Sequence, residues 1–203
     1  MTRIRQILFD FDEVLATYSH ERRIANLAAF AGCEHEQVRA TLFTSGLETE
    51  YDSGLLDTAT YLHRLGDGIG KVVDEEAWIA SRIAGSTAAA GVLAHIEALD
   101  PSLVLGVLTN NGALMARAMP RILGSAFARL DGRVLCSGTL QMRKPDPATF
   151  QRALELLGWD AASTLFVDDR FANVQGARKI GMQAETATDA RSLRRAFKRH
   201  GLA

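Results

Sequence analysis

Apolar residues along this chain come in two rhythms, and the switch between them outlines the molecule. Near the N-terminus Ile7-Leu8-Phe9 is a continuous apolar run, the pattern of a strand buried on both faces, and it breaks off into Asp10-Phe11-Asp12-Glu13-Val14-Leu15. From 17 to 85 the spacing is helical. Ser19 stands as an N-cap before Glu21 to Phe30, where Ile24, Leu27 and Phe30 share a face and Gly32 closes the segment. Glu34 to Phe43 reads as a second short helix and Asp52-Ser53-Gly54 as a turn. Asp57 caps a third helix to Leu65, stopped by Gly66-Asp67-Gly68, and Asp74-Glu75-Glu76 opens a fourth with acidic residues at its favourable end. No strand is predicted in this stretch.

Beyond it the continuous apolar runs return. A helix from Thr87 to Leu99 ends at Asp100-Pro101, where proline forbids continuation. Strands are predicted over Leu103 to Leu108, Arg133 to Ser137, Thr164 to Val167 and Met182 to Thr186. Helices fill the intervals: one to about Leu123, one from Ala148 to Leu157, one from Phe171 to Ile180, and a basic one at the C-terminal end. Strands alternating with helices imply right-handed crossovers and an α/β fold with a doubly wound parallel sheet. The core then comprises residues 1–16 and 86–203, with 17–85 as a small helical unit inserted after the first strand.

Composition narrows the classes of function. The chain has 203 residues, 47% hydrophobic and 23% charged, enough for a sizeable core. Its 23 basic and 24 acidic residues leave a net charge of −1, so no overall field recruits nucleic acid or an anionic membrane. The basic run from Arg191 to His200 reads as cations near a helix C-terminus. Cys33 and Cys136 lack metal-binding spacing and are too few for a disulfide framework, which suits a reducing compartment. With no secretory leader pattern and no apolar stretch of membrane-spanning length, a soluble cytoplasmic protein is expected, a monomer or weak homodimer.

The candidate chemistry lies at the strand ends. Asp10 and Asp12 are two apart in an extended segment, so both can enter one pocket, and paired carboxylates there call for a compensating divalent cation. Thr109 and Asn110 follow the second core strand, Lys144 sits in the loop Met142-Arg143-Lys144-Pro145-Asp146-Pro147, and Asp168-Asp169 end a later strand. Singly, each has a structural explanation: Thr109 as a helix cap, Lys144 as a solvated lysine, Asp168-Asp169 as a helix start. Together they fall where open α/β sheets bind ligands, beyond the carboxyl ends of the strands. Several carboxylates and one lysine suit a hard cation and a phosphoryl group. One carboxylate can attack phosphorus to give an acyl phosphate, and a second can protonate the leaving oxygen and later deprotonate water.

These residues resemble the motifs of the haloacid dehalogenase superfamily. The match runs along the whole chain: Asp10-Phe11-Asp12, Leu108-Thr109-Asn110, Lys144-Pro145 with Asp146-Pro147, and Val167-Asp168-Asp169 with Asn173 and Gly176-Ala177 behind. The resemblance implies a Rossmann-like core carrying a small α-helical cap and an Mg2+-dependent phosphatase acting on a small phosphorylated metabolite. It implies Asp10 as nucleophile and metal ligand, and Asp12 as acid/base that lends its backbone carbonyl to the metal. Thr109, with Asn110, would bind phosphate, Lys144 would stabilise its charge, and Asp169 would complete the magnesium site, with Asp168 binding directly or through water. Glu13 departs from the pattern, standing where the family usually has glycine, and is expected to lie outward.

Within the same resemblance a 2-haloacid dehalogenase would leave Asp12 and Asp168-Asp169 without a purpose, whereas a phosphomutase would use the same intermediate. A silent binding module would have no use for unpaired buried carboxylates. Substrate specificity is expected in the helical insertion, with Tyr18, His20, Arg22, Arg23, Tyr51 and Asp52 as candidates.

Overall fold

The computed structural model describes residues 3–203, so the first two residues of the predicted core segment 1–16 lie outside them. In chain order the elements are β1 (Gln6–Phe9), β2 (Ala16–Tyr18), α1 (His20–Ala31), α2 (His35–Arg39), a π-type turn (Ala40–Thr44), α3 (Leu47–Asp52), α4 (Thr58–Ile69) and α5 (Glu75–Gly85). They continue with β3 (Ser86–Ala88), α6 (Ala90–Glu97), β4 (Val104–Thr109), α7 (Met115–Leu123), β5 (Val134–Cys136) and α8 (Ser137–Leu140). The chain closes with α9 (Pro147–Leu157), β6 (Thr164–Asp168), α10 (Phe171–Arg178), β7 (Gln183–Thr186) and α11 (Ala190–Arg199).

Five strands form one parallel sheet in the order β5-β4-β1-β6-β7. The first strand is central because Ile7, Leu8 and Phe9 have no polar face to offer solvent, and all three are fully buried. Their alternation divides the core in two. Ile7 and Phe9 join Leu105, Val107, Leu165 and Val167 beneath Leu93, Met119 and Phe197 of α6, α7 and α11. Leu8 joins Leu108 and Phe166 beneath Phe150 of α9 and Val174 of α10. Burying side chains of this size contributes about 1.5–3 kcal/mol each. The register sets Phe9 opposite both Val107 and Val167, so the residues after β1 emerge beside the ends of β4 and β6.

The helical insertion leaves and re-enters the core through an antiparallel ribbon that the sequence pattern does not predict. Ala16, Thr17 and Tyr18 pair with Ala88, Thr87 and Ser86, and α6 begins only at Ala90 rather than Thr87. Within the insertion, α4 runs past Gly66 and Gly68 to Ile69 and is capped by Gly70 in the left-handed conformation. The internal glycines serve close approach: a Cβ on Gly68 would lie 2.3 Å from the Thr41 methyl group. The predicted helix from Glu34 to Phe43 is divided into α2 and the wider π-type turn, and α3 was not anticipated. The insertion has its own packing, with Tyr51 stacked on Tyr61 at 4.0 Å and Trp78 nearly fully buried. Among the described residues no helix is long and apolar enough to cross a membrane.

Candidate active site

Asp10 follows β1, its N–H donating to the Val167 carbonyl at 2.8 Å. Its Oδ1 accepts from the Phe11 N–H at 2.7 Å and lies 2.9 Å from Lys144 Nζ. Lys144 enters from the loop before α9, is 2% exposed, and donates also to Asp168 Oδ2 at 2.7 Å. Asp168, fully buried at the end of β6, accepts further from Asn173 Nδ2 at 3.0 Å and from the Arg170 N–H at 2.8 Å. Burial opposes the Lys144 charge, but Asp10 and Asp168 outweigh it and hold the ammonium above its ordinary range. Burial, helped by Asp168 and Asp12, pushes the Asp10 carboxyl up to about 7 although Lys144 pulls the other way. Half-buried Asp169 is also raised, by burial and by its neighbour Asp168. One ammonium is too little charge for three carboxyls.

The donor set fits a hard divalent cation. Asp10, Asp168 and Asp169 each offer a carboxylate oxygen, and these atoms lie within 4.8 Å of one another. All are oxygen ligands, with no thiolate or imidazole among them, which favours Mg2+ over softer metals.

Asp12 lines the same cavity as Asp10. Its two carboxylate oxygens accept from Arg82 Nη2 at 2.9 and 3.1 Å, and Oδ2 accepts from Asn111 Nδ2 at 2.9 Å. Asn111 also donates to the Thr109 hydroxyl at 2.7 Å, connecting Asp12 with the end of β4. Arg82 comes from α5, is almost wholly buried, and lies 4.0 Å over the Tyr18 ring. Asn110 borders the cavity beside Thr109, and its side chain has a structural task as well. Its Nδ2 donates to the Lys144 carbonyl at 2.9 Å and its Oδ1 accepts from the Lys144 N–H at 3.0 Å, so its amide fixes the lysine loop.

Two cavities meet at Asp12, Asn110 and Asn111. One, of about 200 Å³, is bounded by Asp10, Thr109, Asp169 and Arg170. The other, of about 180 Å³, opens under the helical insertion and is lined by Tyr18, His20, Phe43, Glu48, Asp52 and Arg82. Of the residues expected to set specificity, Tyr18, His20 and Asp52 line this space. Arg22 is exposed and donates to Thr87 Oγ1, Arg23 is buried within the insertion, and Tyr51 is buried between the insertion and the core. Glu13 is exposed yet borders the first cavity; its φ of 62° is the conformation that explains a glycine preference, and its carboxylate accepts from the Tyr18 N–H at 2.9 Å.

Arg82, Glu48 and Asn111 were not singled out from the sequence. Arg82 carried a signal, since it stands four residues after Trp78 on the apolar face of α5, where an arginine needs a buried partner. Asn111 and Glu48 carried none, because their roles depend on elements distant in sequence.

A parallel sheet whose strand ends gather an aspartate, a lysine and an acidic pair, with a helical insertion over them, defines a Rossmann-like hydrolase. The chain belongs to the haloacid dehalogenase-like hydrolase family, matching it over residues 4–181. It is 38% identical over 101 residues to phosphoglycolate phosphatase of Rhodospirillum rubrum, covering 49% of this chain and 41% of that enzyme. The chain spans about two-fifths of the length of the curated phosphatases it matches first. Its fold is similar to that of an HAD-like family hydrolase from Porphyromonas gingivalis, at 25% identity and TM-score 0.76 over 98% of each chain. It is also similar to the HAD family enzyme bt-2542 of Bacteroides thetaiotaomicron in complex with magnesium and inorganic phosphate, at TM-score 0.70 and 20% identity, covering 90% of this chain and 93% of that one.

Proposed function

We propose that the chain is an Mg2+-dependent phosphatase that hydrolyses a small phosphorylated metabolite through an aspartyl phosphate. The observation that carries this reading is the division of labour between Asp10 and Asp12. Lys144 and the Phe11 N–H both engage Oδ1 of Asp10, which leaves Oδ2 for attack on phosphorus. Asp12 stands between the two cavities, where the leaving oxygen would cross from one to the other.

In the first step Asp10 Oδ2 bonds to phosphorus, the ester P–O bond breaks, and Asp12 delivers a proton to the departing alcohol oxygen. In the second, Asp12 takes a proton from water as it attacks the acyl phosphate, releasing inorganic phosphate and restoring Asp10. Lys144 offsets negative charge on Asp10 and the transferring group, and the Thr109 hydroxyl offers a donor to a phosphoryl oxygen. Asp10, Asp168, Asp169 and the Asp12 backbone carbonyl would hold Mg2+, which when bound neutralises charge on the phosphoryl oxygens. The phosphatase names among the relatives support this choice of reaction, and the magnesium and phosphate in the bt-2542 complex support the cofactor.

The test is an assay of the purified protein on p-nitrophenyl phosphate and a panel of metabolite phosphates, with and without Mg2+. Phosphate release that requires the cation, and that falls at least about a thousandfold in Asp10→Asn, is expected. Turnover of a 2-haloacid in excess chelator would move the assignment to dehalogenase, and transfer of the phosphoryl group to a second hydroxyl would move it to mutase.

A further inference from the structure

The cavity under the insertion narrows the substrate class, on the reading that the chain is a phosphatase. Its volume of about 180 Å³ leaves room for a small alcohol beyond the phosphoryl group. The charges on its walls are already matched. Arg82, the one arginine or lysine among its lining residues, places Nη2 on both oxygens of Asp12 and Nε on the Met115 sulfur. Glu48 is held from behind by Arg23, through both Nη atoms, and by the Tyr61 hydroxyl, which itself accepts from Trp78 Nε1 at 2.9 Å. That leaves Asp52, whose Oδ1 accepts from the Gly112 N–H at 2.7 Å and whose Oδ2 has no partner among the described residues. His20 stands between the edges of Tyr18 and Phe43, ring centroids 4.8 and 4.6 Å away, and its ring nitrogens likewise make no hydrogen bond among the described residues. Arg170 bounds the other cavity and does not line this one.

We propose that the leaving group is an uncharged, hydroxyl-bearing alcohol of the polyol or sugar kind. Its hydroxyls exchange hydrogen bonds with the free oxygen of Asp52 and with His20, while its carbon face rests on Tyr18 and Phe43. Arg82 is engaged by Asp12, Glu48 is engaged by Arg23, and burial holds the Asp52 carboxyl neutral up to about pH 8. A second charged group of either sign would find no free counter-ion on these walls, and a buried unpaired charge is strongly disfavoured. The specificity therefore differs from that of phosphoglycolate phosphatase, which shares 38% identity over part of the chain.

Four phosphate esters test this on the Mg2+-loaded protein: glycerol 2-phosphate, 2-phosphoglycolate, phosphoethanolamine and p-nitrophenyl phosphate. Hydrolysis of the activated aryl ester reports the phosphatase reading by itself. Given that activity, kcat/KM for glycerol 2-phosphate should exceed those for the anionic and cationic esters at least about tenfold. His20→Arg, at an exposed helix position, supplies an unpaired guanidinium and should shift the ratio toward 2-phosphoglycolate by about tenfold or more. A wild-type preference for either charged ester, or an unchanged ratio in a His20→Arg variant with a normal melting transition, would overturn the proposal. Absence of any aryl phosphate hydrolysis would instead overturn the phosphatase reading on which it rests.

Discussion

At the scale of single residues, the contact that asks most of the structure is Arg82 on Asp12. A guanidinium bonded to both oxygens of a carboxylate fixes its orientation, and the same carboxylate must exchange a proton in each proposed step. The pair bridges 70 positions of sequence, which makes Arg82 a positioning residue contributed by the insertion. Replacing Asp12 by Asn should harm esters with poor leaving groups far more than p-nitrophenyl phosphate, whose aryl oxide departs without a proton. Hydrolysis of the acyl phosphate would still lack its base, so a burst of p-nitrophenol should precede slow turnover, with a phosphate adduct on Asp10 visible by intact-protein mass measurement. Arg82→Gln should show the same pattern in weaker form, losing about ten- to a hundredfold on an alkyl phosphate, the worth of a hydrogen bond to a charged group. Equal losses on both esters, with no burst, would reduce Arg82 to a packing role.

At the scale of elements, α3 does more than its length suggests. Its last turn docks on the core: Tyr51 Oη accepts from the Leu114 N–H at 3.0 Å, Asp52 Oδ1 accepts from the Gly112 N–H, and the Asp52 carbonyl accepts from the Ser137 hydroxyl. Gly112 has to be glycine for this, since a Cβ there would stand 2.1 Å from the Tyr51 ring. Docking buries Asp52, and burial, with Glu48 nearby, pushes its carboxyl up to about 8 against the Gly112 hydrogen bond. In the unfolded chain the same group titrates near ~3.9. Between these values the folded state holds a proton that the unfolded state has lost, so the Asp52 contribution to stability is present at low pH and is lost as pH rises toward 8. Asp52→Asn keeps an oxygen for Gly112 and removes the titration. Its melting temperature relative to wild type should therefore rise between pH 5 and pH 8.5, and a flat difference across that range would refute the assignment. Nothing in the sequence marked α3, because six residues carry too little periodicity and the core groups on which it docks lie 60 or more positions away. The β2–β3 ribbon escaped for the same reason, three-residue strands paired across 70 positions. The core strands were legible because Ile7-Leu8-Phe9 and Leu105 to Leu108 are apolar on both faces, a pattern that needs no knowledge of partners. Glycines misled in α4, where Gly66 and Gly68 serve packing rather than termination. The strand-end residues were legible as a set because the topology of a parallel sheet brings successive carboxyl ends to one edge. Arg82 and Glu48 were not, since only tertiary packing of the insertion gives them partners.

At the scale of the whole molecule, the sheet concentrates negative charge where it is most costly. Asp10, Asp168 and Asp169 converge at the ends of β1 and β6 with Lys144 as the cation among them, and both Asp10 and Asp169 are raised by burial together with that crowding. An arrangement of this kind lowers the stability of the metal-free fold in return for affinity toward a divalent ion. The two effects can be separated at Asp169, which is only half-buried and accepts no hydrogen bond from Lys144. In excess chelator Asp169→Asn should melt at or above the wild-type temperature, because a repelled carboxylate has been removed from beside Asp168. In Mg2+ the order should reverse. An ion at a hundred times its dissociation constant stabilises the wild type by about 2.7 kcal/mol. For a chain of this size that corresponds to a rise in Tm of roughly 5–10 °C. The variant, with one anionic ligand fewer, should show a much smaller rise at the same concentration. Thermal melts of both proteins in chelator and across a magnesium titration give the four values needed. Equal magnesium shifts in wild type and Asp169→Asn would mean that the ion is held without this carboxylate, and a lower Tm for the variant in chelator would mean that Asp169 supports the fold itself.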